Sequence, residues 1–239
     1  MKKKTLLRIL LALLMCAMLV ATIIYKNKFM NYYCVDSLDI TDIDELNLDN
    51  YDKLMIVAHP DDETIWGGAH LVAGNYLVVC VTNGRNSVRK NEFFNAISHS
   101  DDKGLILEYP DKTFGKRDTW DYVYDDIKDD LDKIINYKEW TLVVTHNPDG
   151  EYGHIHHKMT SAIVTDIMKT ETKNELYYFG KYYTAKKISG VKDKLDTVDE
   201  KYLKIKRDEM IPEYKSQQKV TQGLSHMFPY ENWYEADLR

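Results

Sequence analysis

The chain has 239 residues, 44% of them hydrophobic, which is enough for one sizeable core and not comfortably enough for two. Its formal net charge is −6, yet residues 1–30 hold Lys2, Lys3, Lys4, Arg8, Lys26 and Lys28 and no acid, a local +6 that leaves −12 on the rest. An acidic body excludes a general nucleic-acid binder, which needs a basic face to neutralise phosphates.

The basic start runs into "ILLALLMCAMLVATIIY", Ile9 to Tyr25, an uncharged apolar stretch of about 17 residues at the low end for a spanning helix. Thr5–Leu7 lengthen it if Arg8 snorkels to the interface. A cleaved signal, a lipoprotein signal and an uncleaved anchor compete. Cleavage wants small residues at the end of the core, where bulky Leu19 precedes Ala21, and a lipid-bearing cysteine wants a smaller neighbour than the Met15 before Cys16. The expectation is therefore a single-pass signal-anchor over residues 1–30. More basic residues precede the run than follow it, which places the body on the extracytoplasmic side. Residues 31–50, acidic and poor in bulky apolar groups, read as a stalk, and 51–239 as one domain. Cys34 and Cys80 read as free thiols.

In the body, "DKLMIVAH" and "NYLVVCVTNG" are apolar runs of strand character, separated by a short helix, "ETIWGGAHLVAG", that ends at Gly74. "SVRKNEFFNAISHS" has helical spacing with Val88, Phe93 or Phe94, and Ile97 on one side. "GLILEYP" is a third strand, "TWDYVYDDIKDDLDKIINY" an acidic amphipathic helix, and "EWTLVVTHN" a fourth strand. "GHIHHKMTSAIVTDIMK" is a helix and "ELYYFGKYY" another strand. "VDEKYLKIKRDEMIPEYKSQQ" reads as a charged surface helix containing Pro212. This alternation implies right-handed crossovers and an α/β fold, a Rossmann-like parallel sheet with helices on both faces. Sites in such sheets form beyond the carboxyl ends of the strands.

Two clusters follow strands directly and so open on that edge. In "HPDDE", His59 and Asp62 are close enough in a tight turn to converge on one ion. Asp61, Asp62 and Glu63 repel one another unless a cation or a proton compensates. Alone, the cluster is equally an acidic first helical turn with Asp61 or Asp62 as N-cap. The second cluster, "HNPDGEYGHIHHK", holds His146, His154, His156 and His157, half of the eight histidines. His154 and His157 share a helix face at i and i+3, and His156 points elsewhere. A mixed His/Asp set with an open position is the pattern of catalytic zinc.

"AHPDDETIWGGAHL" together with "THNPDGEYGHIHH" resembles the PIG-L/LmbE family of zinc-dependent de-N-acetylases. The likeness extends through "VTNGR", Arg89 and Glu92 in "R-x-x-E", and "YKSQ" near the C-terminus. By position, the resemblance makes His59, Asp62 and His157 the zinc ligands, with Fe2+ as the alternative ion. Asp61 matches the general base, and His154 the histidine that meets the oxyanion. Either Asp61 or His154 delivers a proton to the departing amine. The substrate implied is an N-acetylated amino sugar of N-acetylglucosamine type on a glycan, glycolipid or small conjugate. The family commonly reads "GHPDH" where this chain has Gly153-His154-Ile155-His156-His157, so His156 replaces an Asp that orients His154. Either Asp149 or another acid takes over that task, or His154 works with a lower pKa. Arg85 and Arg89 are candidates for holding a phosphate or sugar hydroxyl, with an Arg89–Glu92 ion pair as the alternative. His146 either shapes the pocket or caps its strand, and Glu63 supports a ligand or the backbone. Trp66 suits stacking on a sugar or packing in the core. His70 and His99 read as helix-surface residues.

Overall fold

The computed structural model describes residues 2–170 and 174–238. The chain divides into two units, Met1–Asp36 and Ser37–Arg239. The first is helix α1 (Lys2–Tyr33), whose stretch Lys3–Tyr33 is long and apolar enough to cross a membrane. At 1.5 Å per residue its 32 residues extend about 48 Å, more than a hydrocarbon core of about 30 Å requires.

The expected stalk is corrected at this boundary. Residues 37–50 belong to the second unit and pack on it. Helix α2 (Ile40–Asp44), capped by Asp39 in a capping box with Asp42, buries Ile43, and Leu48 is buried behind it. The backbone of this segment is held from the body, with Lys138 Nζ donating to the carbonyls of Leu48 and Tyr51 at 3.0 Å. Two buried apolar side chains outweigh the acidic composition that suggested a free linker.

The elements that follow are β1 (Lys53–Val57), α3 (Asp62–Ala73), β2 (Tyr76–Thr82), α4 (Ser87–Ile97) and β3 (Lys103–Tyr109). A small hairpin, β4 (Lys112–Thr113) and β5 (Lys116–Arg117), precedes α5 (Tyr124–Ile135), β6 (Leu142–Thr145), α6 (Ile155–Met168) and β7 (Leu176–Tyr178). The chain ends with α7 (Ala185–Ile188), α8 (Glu200–Ile205), α9 (Gln218–Leu224) and β8 (Tyr234–Glu235). The main sheet runs β3-β2-β1-β6-β7-β8, parallel throughout except for β8, which pairs antiparallel with β7. All seven residues of β2 and the last four of β1 are buried, so strands covered on both faces read as continuous apolar runs. This is the expected α/β Rossmann-like architecture. The chain leaves β1 toward β2 on one side and β6 toward β7 on the other, so the order reverses between β1 and β6. The crevice at that reversal is where such sheets place a site, and it lies between the two clusters.

Two helical readings are revised. In α4, Phe93 and Ile97 are buried but Val88 is 55% exposed, because Asn86 caps the helix and its first turn faces solvent. The expected surface helix around Pro212 is broken: α8 passes into a π-turn over Lys206–Met210 and a 3₁₀ turn at Ile211–Glu213. Proline forbids the continuing ladder, and the break turns Lys206 fully inward.

Candidate metal centre

Beyond Val57 the chain turns sharply into α3. Asp61 takes φ +117°, a conformation a non-glycine residue holds only when its surroundings over-determine it. Those surroundings are specific. The Asp61 N–H donates to Glu63 Oε2 at 3.1 Å, and the buried Glu63 carboxylate is fixed by Thr64 Oγ1 at 2.6 Å and by the Tyr214 hydroxyl. Arg89, reaching across from α4, donates to the Pro60 carbonyl and to Asp61 Oδ1 at 3.2 Å. Glu92 then accepts the N–H and hydroxyl of Ser216 at 2.6 and 2.7 Å. The "R-x-x-E" and "YKSQ" residues thus form a brace behind the turn. Arg89 is buried against Asp61 and does not pair with Glu92 in the way the sequence alternative supposed. Arg85 stays near the surface, 2.8 Å from Glu108.

The turn aims the acids. Asp62 Oδ2 accepts the His59 N–H at 2.9 Å and lies 3.1 Å from His59 Nδ1. Burial would raise the Asp62 carboxyl, but the charge of the neighbouring His157 outweighs it and holds the carboxyl well below its ordinary value. Asp61 is pushed the other way, upward, chiefly by burial; Arg89 opposes and Asp62 and Glu63 reinforce the rise.

From the neighbouring strand, β6 delivers His146 fully buried. Its Nε2 accepts the Ala58 N–H at 3.0 Å and its Nδ1–H donates to Glu151 Oε2 at 3.0 Å. With both nitrogens engaged, His146 ties β6 to the β1 turn and offers no surface to a substrate. Glu151 also accepts from His157 Nδ1 at 2.5 Å and from the Asn147 N–H at 3.0 Å. His157 Nε2 is buried 3.2 Å from Asp62 Oδ1, an ion-pair contact without a well-aligned hydrogen bond among the described residues. Burial opposes charge on this ring, yet the Asp62 and Glu151 carboxylates raise its pKa to about 10.

These donors fit a divalent ion. Ligands at about 2.0–2.1 Å around a tetrahedral zinc stand about 3.3 Å apart; His59 Nδ1 is 3.1 Å from one oxygen of Asp62 and His157 Nε2 3.2 Å from the other. One ligand nitrogen from each of His59, His154 and His157 also lies within 4.8 Å of the others.

His154 and His157 do share a face, with ring centroids 4.5 Å apart. The N–H of His156 donates to His154 Nδ1 at 3.2 Å, so a neutral His154 carries its proton on Nε2. Burial first, then the charges of His157 and His59, lower its pKa to about 2. His156 turns away, as expected, but not to solvent: it stacks on Trp120 at 4.3 Å and its Nδ1 meets His59 Nε2 at 3.0 Å. The replacement of Asp therefore bears on His59 rather than on His154, and Asp149 is exposed. Trp66 is buried, 6.4 Å from both Tyr152 and Tyr182 between ring centroids, and the half-exposed Tyr152 lies 5.6 Å from His157. Tyr152 therefore borders the centre, while Trp66 packs in the core behind it.

Sequence reasoning passed over Glu151, an acid placed between histidines in one short loop, which is the available sign that it serves them. It also missed the hairpin of β4 and β5, although Phe114-Gly115, both at positive φ, is the signature of a tight two-residue turn. That excursion supplies Asp111, Arg117, Asp118 and Trp120 to the rim of the site.

Residues 54–168 match the PIG-L family, described as GlcNAc-PI de-N-acetylase. An uncharacterized protein of Acanthamoeba polyphaga mimivirus is 35% identical over 133 residues, 48% of this chain and 57% of that protein. The alignment thus spans a little over half of that relative's length. The residues that converge on Asp62 and His157 all lie inside the stretch, residues 54–168, that matches this family.

Proposed function

We propose that the chain is a metal-dependent hydrolase that removes the acetyl group from an N-acetylated amino sugar of N-acetylglucosamine type, on a glycan, glycolipid or small conjugate. The observation that carries this reading is the buried convergence of imidazoles on Asp62, with His157 Nε2 3.2 Å from one carboxylate oxygen and His59 Nδ1 3.1 Å from the other. His59, Asp62 and His157 would hold the ion, zinc by donor type, with iron able to use the same set. When bound, the metal polarises a carbonyl and lowers the pKa of a water to about 7.

The protein's own groups supply the rest. Asp61, beside a ligand and held by Arg89 and the Glu63 brace, takes the proton from the attacking water. His154, protonated at Nε2 because Nδ1 is occupied, donates a hydrogen bond to the oxygen of the acetamide as charge develops there. The proton held on Asp61 then passes to the departing amine. Tyr152, half-exposed beside His154 and His157, offers an aromatic face on which a sugar packs. The apolar N-terminal helix supports a single-pass anchor with the body outside the cytoplasm, where a membrane-confined glycan or glycolipid is the accessible substrate.

The test is acetate release from N-acetylglucosamine compounds by the full chain in detergent, before and after chelation. Release that stops on chelation and returns with zinc is expected. A metal-loaded chain that liberates no acetate from these compounds contradicts the substrate reading and favours another amide or ester.

A further inference from the structure

His156 stands where the resemblance implies an Asp, and its surroundings give it a fixed polarity. Its Nε2 lies 2.8 Å from the Asp118 carbonyl oxygen, which can only accept, so Nε2 carries the proton and Nδ1 keeps its lone pair. That lone pair faces His59 Nε2 at 3.0 Å. Asp111 Oδ1, 3.4 Å from the same His59 nitrogen, is a second acceptor. Arg117 Nη1, which can only donate, also approaches to 3.4 Å, a longer contact than the 3.0 Å from His156, and it pairs with Asp111 as well. Two acceptors place the His59 proton on Nε2. His59 Nδ1 is then unprotonated, and Nδ1 is the nitrogen 3.1 Å from Asp62 Oδ2.

We infer that His156 is a positioning residue for the metal ligand His59: the relay from the Asp118 carbonyl through His156 presents the His59 Nδ1 lone pair to the ion in one tautomer and one orientation. This inference rests on the reading of His59, Asp62 and His157 as ligands. Outer partners of ligating imidazoles commonly change metal affinity by about 10–100-fold.

The wall behind His156 is built to hold it. Trp120, fully buried at φ +57°, lies parallel to the His156 ring within 10°. Its indole N–H donates to the Pro110 carbonyl at 2.8 Å and its backbone N–H to Asp118 Oδ1 at 2.7 Å. His59, Asp111 and His156 are close enough together to suggest an ion of their own, and the same proton assignment argues against one. Protonated at Nε2, His59 has no lone pair to give on that side.

Zinc affinity of the full chain in detergent, measured against a chromophoric chelator, separates hydrogen bonding from packing. His156→Phe keeps the ring on Trp120 and removes the acceptor; His156→Asn keeps an acceptor oxygen near Nδ1 and removes the ring. The expected result is a loss of roughly 10–100-fold for Phe and near-wild-type affinity for Asn. Wild-type affinity in Phe, or equal weakening in both variants, overturns the inference. An NMR long-range ¹H–¹⁵N correlation on the zinc-loaded wild type needs no variant: His59 should be protonated at Nε2, and protonation at Nδ1 overturns the inference whatever the affinities. A wild type that binds no zinc defeats the metal reading as well, whereas zinc binding with the wrong tautomer defeats only this one.

Discussion

Helix α3 meets a buried ionic cluster at its first turn and another at its middle, and the two differ in how their charges are answered. At the middle, Glu231 accepts the N–H groups of Ala69 and His70 at 2.8 and 3.1 Å, His70 Nδ1 at 2.6 Å and Lys206 Nζ at 2.6 Å. Lys206 sends its other two hydrogen bonds to the carbonyls of Ile65 and Phe228 at 2.9 and 3.1 Å. Cation, anion and backbone satisfy one another completely. At the first turn, Asp61, Asp62 and Glu63 are all buried, Arg89 pairs with Asp61, and His157 Nε2 meets Asp62 at 3.2 Å without a well-aligned hydrogen bond among the described residues. Buried charge persists only when compensated. The closed cluster is a structural strut, and the open one is short of positive charge at a point several side chains share.

Substitutions at the two clusters should therefore fail in different ways. The largest effect is expected from Asp61→Asn, which keeps the ligands but removes the base. Acetate release should fall about 10²–10⁴-fold with zinc content and melting temperature close to wild type; loss of zinc instead would mean Asp61 is a ligand. Glu231→Gln should act oppositely, leaving Lys206 buried without its anion. Denaturant unfolding should report a loss of about 3–5 kcal/mol, with zinc retained in the fraction that remains folded. Glu231 is held at about 2 from an ordinary 4.5, since Lys206 and His70 overcome the effect of burial. Its contribution is present in full above pH 4.5 and is lost as pH falls toward 2, so the stability gap between wild type and Glu231→Gln should narrow across that window. A gap that stays constant across it would mean that the charge of Glu231 is not what stabilises.

Gly68→Ala should have a smaller effect on the same strut. A Cβ at position 68 would stand 2.9 Å from Lys206 Cγ, so the lysine stem must shift. The expected cost is about 1–3 kcal/mol by thermal or denaturant unfolding. A neutral result would show that the Lys206 stem moves freely, and the strut would then be looser than its hydrogen bonds imply.

The same contrast explains what could be read from the sequence. β1 and β2 are legible because burial on both faces leaves uninterrupted apolar runs, and both clusters are legible because they sit just beyond strand ends. Lys206 is not: in "EKYLKIKRDE" it looks like one more solvated charge, and only Glu231, distant in sequence, accounts for its burial. The Asp118 carbonyl is invisible for a related reason, and the place of Glu151 between histidines hints at its service without saying which nitrogen it meets. Their importance lies in which nitrogen of a histidine they face, a property of three-dimensional placement that spacing along the chain does not encode. The segment 37–50 misled because Ile43 and Leu48 are few among acids, and two well-buried side chains suffice to dock it.

The most direct measurement is elemental analysis of the full chain purified in detergent, wild type beside His157→Ala, Asp62→Ala and Glu231→Gln, with folding followed by circular dichroism. The account predicts about one divalent ion per wild-type chain, retained by folded Glu231→Gln and lost from both ligand variants. A wild type that stays free of metal after exposure to zinc, or ligand variants that keep the ion, would contradict it.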